Sequence, residues 1–173
     1  MTPQLVHIPA GQTQIEGLLE LPATARGIVL FAHGSGSGRH SPRNNFVARV
    51  LHDHGIGTLL LDLLSLAENL DYQTRFDMAL LTQRLLLVTG WVRMHTPPTR
   101  ALPIGYFGAS TGAAAALQAA ATLGDDIHAL VSRGGRPDLA GRHDLANVKT
   151  PTLLLVGSQD EEVLELTAWP MRG

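Results

Sequence analysis

Gly108-Ala109-Ser110-Thr111-Gly112 sets a serine in a glycine-flanked turn, between the apolar run Leu102–Phe107 and the alanine-rich stretch Thr111–Leu123. A G-x-S-x-G at a strand-to-helix junction puts the serine on a sharp bend where only small neighbours fit. The bend lifts the hydroxyl above the sheet edge, and the first N–H groups of the helix face the oxyanion that nucleophilic attack would create. Helix capping is the ordinary alternative role for such a serine; the strand and helix on either side favour the nucleophile.

A second glycine-rich segment, His33-Gly34-Ser35-Gly36-Ser37-Gly38, follows the apolar run Gly27–Ala32. Acyl transfer needs another backbone N–H for the oxyanion, and Ser35 or Gly36 is the expected donor. A dinucleotide loop competes, because Gly34-x-Gly36 follows a strand and Asp62 ends the next apolar run, where a ribose-binding acid would stand. Against it, the third glycine of G-x-G-x-x-G falls at Arg39, and Arg39-His40-Ser41-Pro42 delays the helix. Asp160, just past Thr152–Val156, is placed to orient a histidine, although a plain loop aspartate would look the same. His33, Arg133 and Arg136 are candidate substrate contacts; the two arginines suit a carboxylate or phosphate, unless RGGRPD is only a solvated loop.

The elements that must position these groups alternate between strand and helix. Leu5–Ile8 and Gln14–Leu21 read as a hairpin around Gly11. Gly27–Ala32, Thr58–Asp62, Leu102–Phe107, Ile127–Ser132 and Thr152–Val156 read as buried strands. Ser41-Pro42 starts a helix with Phe46, Val47, Val50 and Leu51 on one face and Gly55 as its stop. Asp71 is the expected cap of a long helix through Trp91, ended by Thr96-Pro97-Pro98, and Arg133–Asn147 reads as an irregular loop. The pattern predicts one α/β domain over 1–173 with a mostly parallel sheet, an N-terminal hairpin at 1–21 and an irregular tail at 167–173.

The 13 Lys and Arg against 15 Asp and Glu leave no cationic excess for coating nucleic acid. Absence of cysteine excludes disulfides, thiolate metal sites and a cysteine nucleophile. The apolar runs fall short of the ~20 residues of a membrane span, and MTPQLVHIPAG lacks the basic start of a secretory signal. A cytoplasmic protein with no membrane or nucleic-acid partner, metal or organic cofactor is expected.

HGSGSGRHSPRN, IGYFGASTGAAAAL, VSRGGRPDLAG and TPTLLLVGSQDEEVLEL together resemble the α/β-hydrolase superfamily, in particular its dienelactone-hydrolase-like bacterial branch, some members of which are fused to phosphoribosyltransferase-like domains. The resemblance runs from about Gly17 to Leu166. It implies a three-layer fold with a mostly parallel sheet flanked by helices, Ser110 as nucleophile and Asp160 as triad acid. It also implies an oxyanion hole from Thr111 and the Ser35/Gly36 loop, acting on a small ester or related acyl substrate. The namesake enzymes carry cysteine where this chain has Ser110.

That branch places its catalytic histidine beyond the acid, after one more strand. Here all 8 histidines precede Asp160, and the ending resembles a member cut just after Leu166, without its last strand, histidine and helix. Impaired turnover is expected, or a non-catalytic protein that binds a ligand or partner. His52 and His54, at a helix end, read as structural. His143, five residues after Asp138, is the alternative base, with both groups on one loop. Thr152–Val156, left bare at the sheet edge, is expected to self-associate.

Overall fold

The structure, a computed structural model, describes residues 2–95 and 99–168. Strands β1 (Gln4–Ala10) and β2 (Thr13–Glu20) form the expected hairpin, and β3 (Ile28–Ala32), β4 (Gly57–Asp62), β5 (Ile104–Ala109), β6 (Ile127–Arg133) and β7 (Thr152–Leu155) complete a seven-stranded sheet. The order is β1-β2-β4-β3-β5-β6-β7. The hairpin is antiparallel and joins β4 antiparallel; every pairing from β4 to β7 is parallel. Parallel strands buried on both faces need apolar residues throughout, which TLLLD and IVLFA supply.

Helix α1 (Pro42–Asp53) covers one face over Phe31, Leu60 and Phe107; Phe31 and Phe107 stack with centroids 5.0 Å apart. On the other face lie α3 (Met78–His95) and α4 (Thr111–Leu123). The alanines of α4 let its backbone approach β5 and β6 closely; Ala113, Ala114, Ala115, Ala116, Ala119 and Ala120 are all fully buried. These layers make the three-layer α/β architecture.

Ser41 caps α1 through its side chain with Pro42 in the first turn, as the sequence indicates. The buried face differs from expectation. Asn44 and Ala48 point inward, Val47 and Leu51 are half-buried, and Phe46 and Val50 are 62% and 42% exposed. The cap fixes the helix rotation, so the stripe facing the sheet is the one that begins at Asn44.

A capping box at Ser65 and Glu68 creates a short helix, α2 (Leu66–Leu70), where no helix was expected. Asp71 then closes a turn rather than starting the long helix: it accepts from the N–H of Gln73 and of Thr74, both at 3.2 Å. The cap of α3 is Asp77, whose Oδ1 takes the Leu80 N–H at 2.9 Å. The expected stop at Thr96-Pro97-Pro98 lies outside the described residues.

The loop after β6 contains a 3₁₀ turn at Pro137–Ala140 and a helix, α5 (Arg142–Asn147). Strand β7 is an outer strand rather than a buried one, with Leu153 54% and Leu155 44% exposed. Helix α6 (Glu161–Ala168) takes in the first two residues of the stretch expected to be an irregular tail; 169–173 lie outside the described residues. No helix among the described residues is long and apolar enough to cross a membrane.

Candidate functional site around Ser110

Ser110 has φ +51° and ψ −122°, and is the one non-glycine residue with positive φ among those described. Such a conformation costs about 1–3 kcal/mol and persists only where the surroundings impose it. Here they are the glycines. A Cβ on Gly112 would stand 2.2 Å from the Ala32 carbonyl oxygen and 2.3 Å from that of His33, and one on Gly108 would stand 2.4 Å from the Ala113 Cα. Strand β5, the turn and the start of α4 therefore close up against the end of β3. Ser110 makes no side-chain cap bond, so the capping role leaves its hydroxyl unexplained. Its carbonyl accepts the Ala113 N–H at 3.1 Å and the Arg136 N–H at 3.3 Å.

The HGSGSG loop meets this turn directly, because a Cβ on Gly34 would lie 2.9 Å from the Ser110 Cβ. The Ser35 N–H is not free: it donates to Thr111 Oγ1 at 3.1 Å. Of the expected oxyanion donors, Ser35 is thus tied to Thr111, whose own N–H is the first amide of α4 and has no partner inside the helix. Gly36 lies in the left-handed region at φ +72° and is exposed. A cavity of about 10 Å³ lies among His33, Gly34, Ser35, Gly36 and Thr111, room for about one water.

His33 does not present a free ring. Its Nε2 accepts the Leu63 N–H at 3.0 Å, which leaves Nδ1 as donor to the Gly34 carbonyl at 2.9 Å. Burial pushes its pKa down, so the imidazole stays neutral and braces the loop against the end of β4. With both ring nitrogens engaged inside the protein, His33 has none free to offer a substrate. Asp62 is likewise committed: it takes the Arg39 N–H at 2.7 Å and pairs with the Arg39 guanidinium, which also holds Glu16 at 2.7 Å. Asp62 is thus occupied by Arg39, which counts against its service as a ribose-binding acid. A groove of about 820 Å³ flanks this pair, lined in part by Glu16, Arg39, Asp62 and Leu66; Ser110 is not among its lining residues.

Arg136 is engaged as well. Asp138 grips its guanidinium with two bonds, at 2.9 and 2.8 Å, and this raises the Arg136 pKa. The side chain is satisfied internally, and the residue serves the site through its backbone bond to Ser110. Asp138 is thereby spent, and His143 lies exposed on α5 without contacting it, so the same-loop pair does not form. Arg133, at the end of β6, pairs in register with Ala109 and reaches Asn44 of α1. The pattern of the chain did not single out Asn44 or the Thr111 side chain; a buried asparagine in a helix's first turn is too weak a signal.

Asp160 is exposed at the start of α6, where Oδ1 accepts the Val163 N–H at 3.3 Å. Among the described residues no histidine bonds to Asp160 or to Ser110. His52 lies between Thr58 and Glu20, and His54 bonds the Val50 carbonyl. No group of three His, Asp or Glu side chains is arranged for a metal among the described residues.

Sheet order, crossover layers and the strained serine turn define the α/β-hydrolase fold. No family model matches the chain. A dienelactone hydrolase from Anabaena variabilis superposes with TM-score 0.90 at 49% identity, covering 98% of this chain and 81% of that one. The chain belongs to the dienelactone hydrolase family of α/β hydrolases. A dienelactone-hydrolase-like promiscuous phosphotriesterase from metagenomic libraries (TM-score 0.77, 21% identity, 99% of this chain and 76% of that) shares the fold. So does a lidless Xanthomonas campestris α/β serine hydrolase (0.74, 22%, 95% and 77%). Two Mycobacterium tuberculosis proteins named "Putative phosphoribosyl transferase" are 55% identical over 161 residues, 93% of this chain. The chain spans 36% of the length of those curated relatives.

Proposed function

We propose that this chain carries the nucleophile of a serine hydrolase acting on esters or related acyl compounds. The observation that carries the reading is the strained Ser110, pressed against the HGSGSG loop and followed by the first amide of α4. In the proposed reaction Ser110 Oγ attacks the acyl carbonyl and its proton passes to a base. The carbonyl oxygen, now negative, rests on the Thr111 N–H and on a donor from the Ser35/Gly36 loop. Collapse of that intermediate expels the alcohol, which takes up the proton, and leaves an acyl-Ser110. Water then adds to the acyl carbon, the bond from that carbon to Ser110 Oγ breaks, Oγ takes back a proton from the water, and the acid leaves. The Ser35 N–H becomes available when the substrate oxygen displaces Thr111 Oγ1. Asp160 is proposed as the acid that orients the base; it would leave its capping bond to do so.

Among the described residues no histidine bonds to Ser110 to act as that base. With no described histidine at Ser110, the hydroxyl is a weak nucleophile at neutral pH, and turnover by these residues should be slow. A second reading follows from that same observation: a hydrolase fold that binds its acyl ligand without turning it over.

The test is fluorophosphonate labelling with peptide mapping, run beside p-nitrophenyl acetate hydrolysis. Label on Ser110 and a hydrolysis rate above that of Ser110→Ala are expected. Equal rates and no label would overturn the enzyme reading and leave the binding one.

A further inference from the structure

The loop that faces Ser110 is gripped at both of its ends by the end of β4. At its start, His33 Nε2 accepts the Leu63 N–H at 3.0 Å; at its finish, the Arg39 N–H donates to Asp62 Oδ1 at 2.7 Å. Asp62 and Leu63 are consecutive, so the glycines and serines of 34–38 hang between two adjacent holds. A Cβ on Gly38 would stand 2.5 Å from Asp62 Oδ1, so the carboxylate lies flush against the loop. That carboxylate has a like charge facing it. Asp62 is the register partner of Glu16 across the antiparallel β2–β4 pair, and like charges directly opposite one another repel. The Arg39 guanidinium answers both, pairing with Asp62 Oδ2 and holding Glu16 Oε2 at 2.7 Å. Two carboxylates placed face to face make a socket that a bridging guanidinium turns from repulsive to favourable.

The middle of the loop lies on the nucleophile turn: the Ser35 N–H bonds Thr111 Oγ1 at 3.1 Å, and Gly34 stands against the Ser110 Cβ. We infer that Asp62, with Glu16, is a positioning residue: through Arg39 it sets the HGSGSG loop over Ser110, and with it the place of the Ser35 and Gly36 amides that would hold the oxyanion. Glycines open many backbone conformations to this loop, so its position has to be imposed from outside. The groove that the three charged side chains line does not include Ser110, so they act through the backbone between Arg39 and Ser35. The part played in acyl transfer rests on the function proposed above; the hold on the loop does not. Asn45 Nδ2 separately bonds the Arg39 carbonyl at 2.8 Å, so loss of the Asp62 charge should shift the loop without unfolding it.

Asp62→Asn in the whole chain is the test, with two readouts: the Ser35 amide resonance and its exchange protection, and the saturation kinetics of fluorophosphonate labelling at Ser110. A moved and less protected Ser35 amide is expected. The labelling rate constant at saturation should fall about tenfold with half-saturation unchanged, where loss of a whole oxyanion donor costs about a hundredfold or more. Glu16→Gln should lose less. Arg39→Lys keeps the charge without the fork that spans both carboxylates, and should fall between the two. Asp77→Ala controls for stability alone: it should lower the melting temperature and leave the Ser35 amide and the labelling as in the wild type. A Ser35 amide unmoved in folded Asp62→Asn, or a loss that lies wholly in half-saturation, would overturn the positioning role. Should the Asn variant not fold, Glu16→Gln and Arg39→Lys carry the same readouts and decide it in the same way. A wild type that takes no label, while its Ser35 amide still moves in Asp62→Asn, would defeat the hydrolase reading and leave the hold on the loop standing.

Discussion

His33 is a buried ring with both nitrogens committed, one accepting from β4's end and one donating to the next carbonyl. A proton added to it would lose the Leu63 bond. Its ordinary pKa of 6.5 applies to the unfolded chain, and burial lowers it in the native state. Below about pH 6.5 the unfolded chain therefore takes up a proton that the native one refuses, and stability falls by up to about 1.4 kcal/mol per pH unit until the native pKa is reached. Urea melts at pH 7.5 and 5.0 should show this loss in the wild type and a smaller one in His33→Gln. Thr111 allows a second test at this scale. Thr111→Val keeps the shape but strands the Ser35 N–H, and a loss of about 1 kcal/mol in the same melts is expected.

Between residues and the whole, the strand–turn–helix unit around Ser110 depends on backbone approach more than on side-chain packing. A methyl on Gly112 would meet carbonyl oxygens of β3 and the HGSGSG loop inside van der Waals distance. Gly112→Ala should therefore cost about 3 kcal/mol or more, read as a large drop in melting temperature. The long helix offers a milder test. Asp77→Ala should lower the melting temperature by about 2–4 °C, for a cap worth about 1 kcal/mol. Asp71→Ala should shift it less, because Asp71 caps only the turn before the helix.

At the scale of the molecule, the sheet is well covered at its centre and bare at one side. Among the described residues the outer edge of β7 has no paired strand, and Leu153 and Leu155 stand exposed on it. An apolar open edge is a template for pairing with a second chain. Light scattering over a range of concentrations should show growing association, weakened by Leu153→Lys. A constant monomer mass would end that expectation.

Local chemistry explains what could be read from the chain directly. The G-x-S-x-G turn between an apolar run and an alanine-rich helix fixes where the serine bends, because both glycines and the helix propensity act within a few residues. The same holds for the order of strands and helices and for the Ser41 cap. The sequence could not say which partner each polar group would find. Asp62 reads as a candidate ribose acid until Arg39 folds back onto it, and Arg136 reads as a substrate contact until Asp138 closes on it. Asn44 on α1 and Arg133 at the end of β6 lie far apart in the chain, and only the packing of α1 across the end of β6 brings them together. Nearest-neighbour forces set the elements; long-range contacts, which the chain can form only once those elements have docked, decided the wiring of the site.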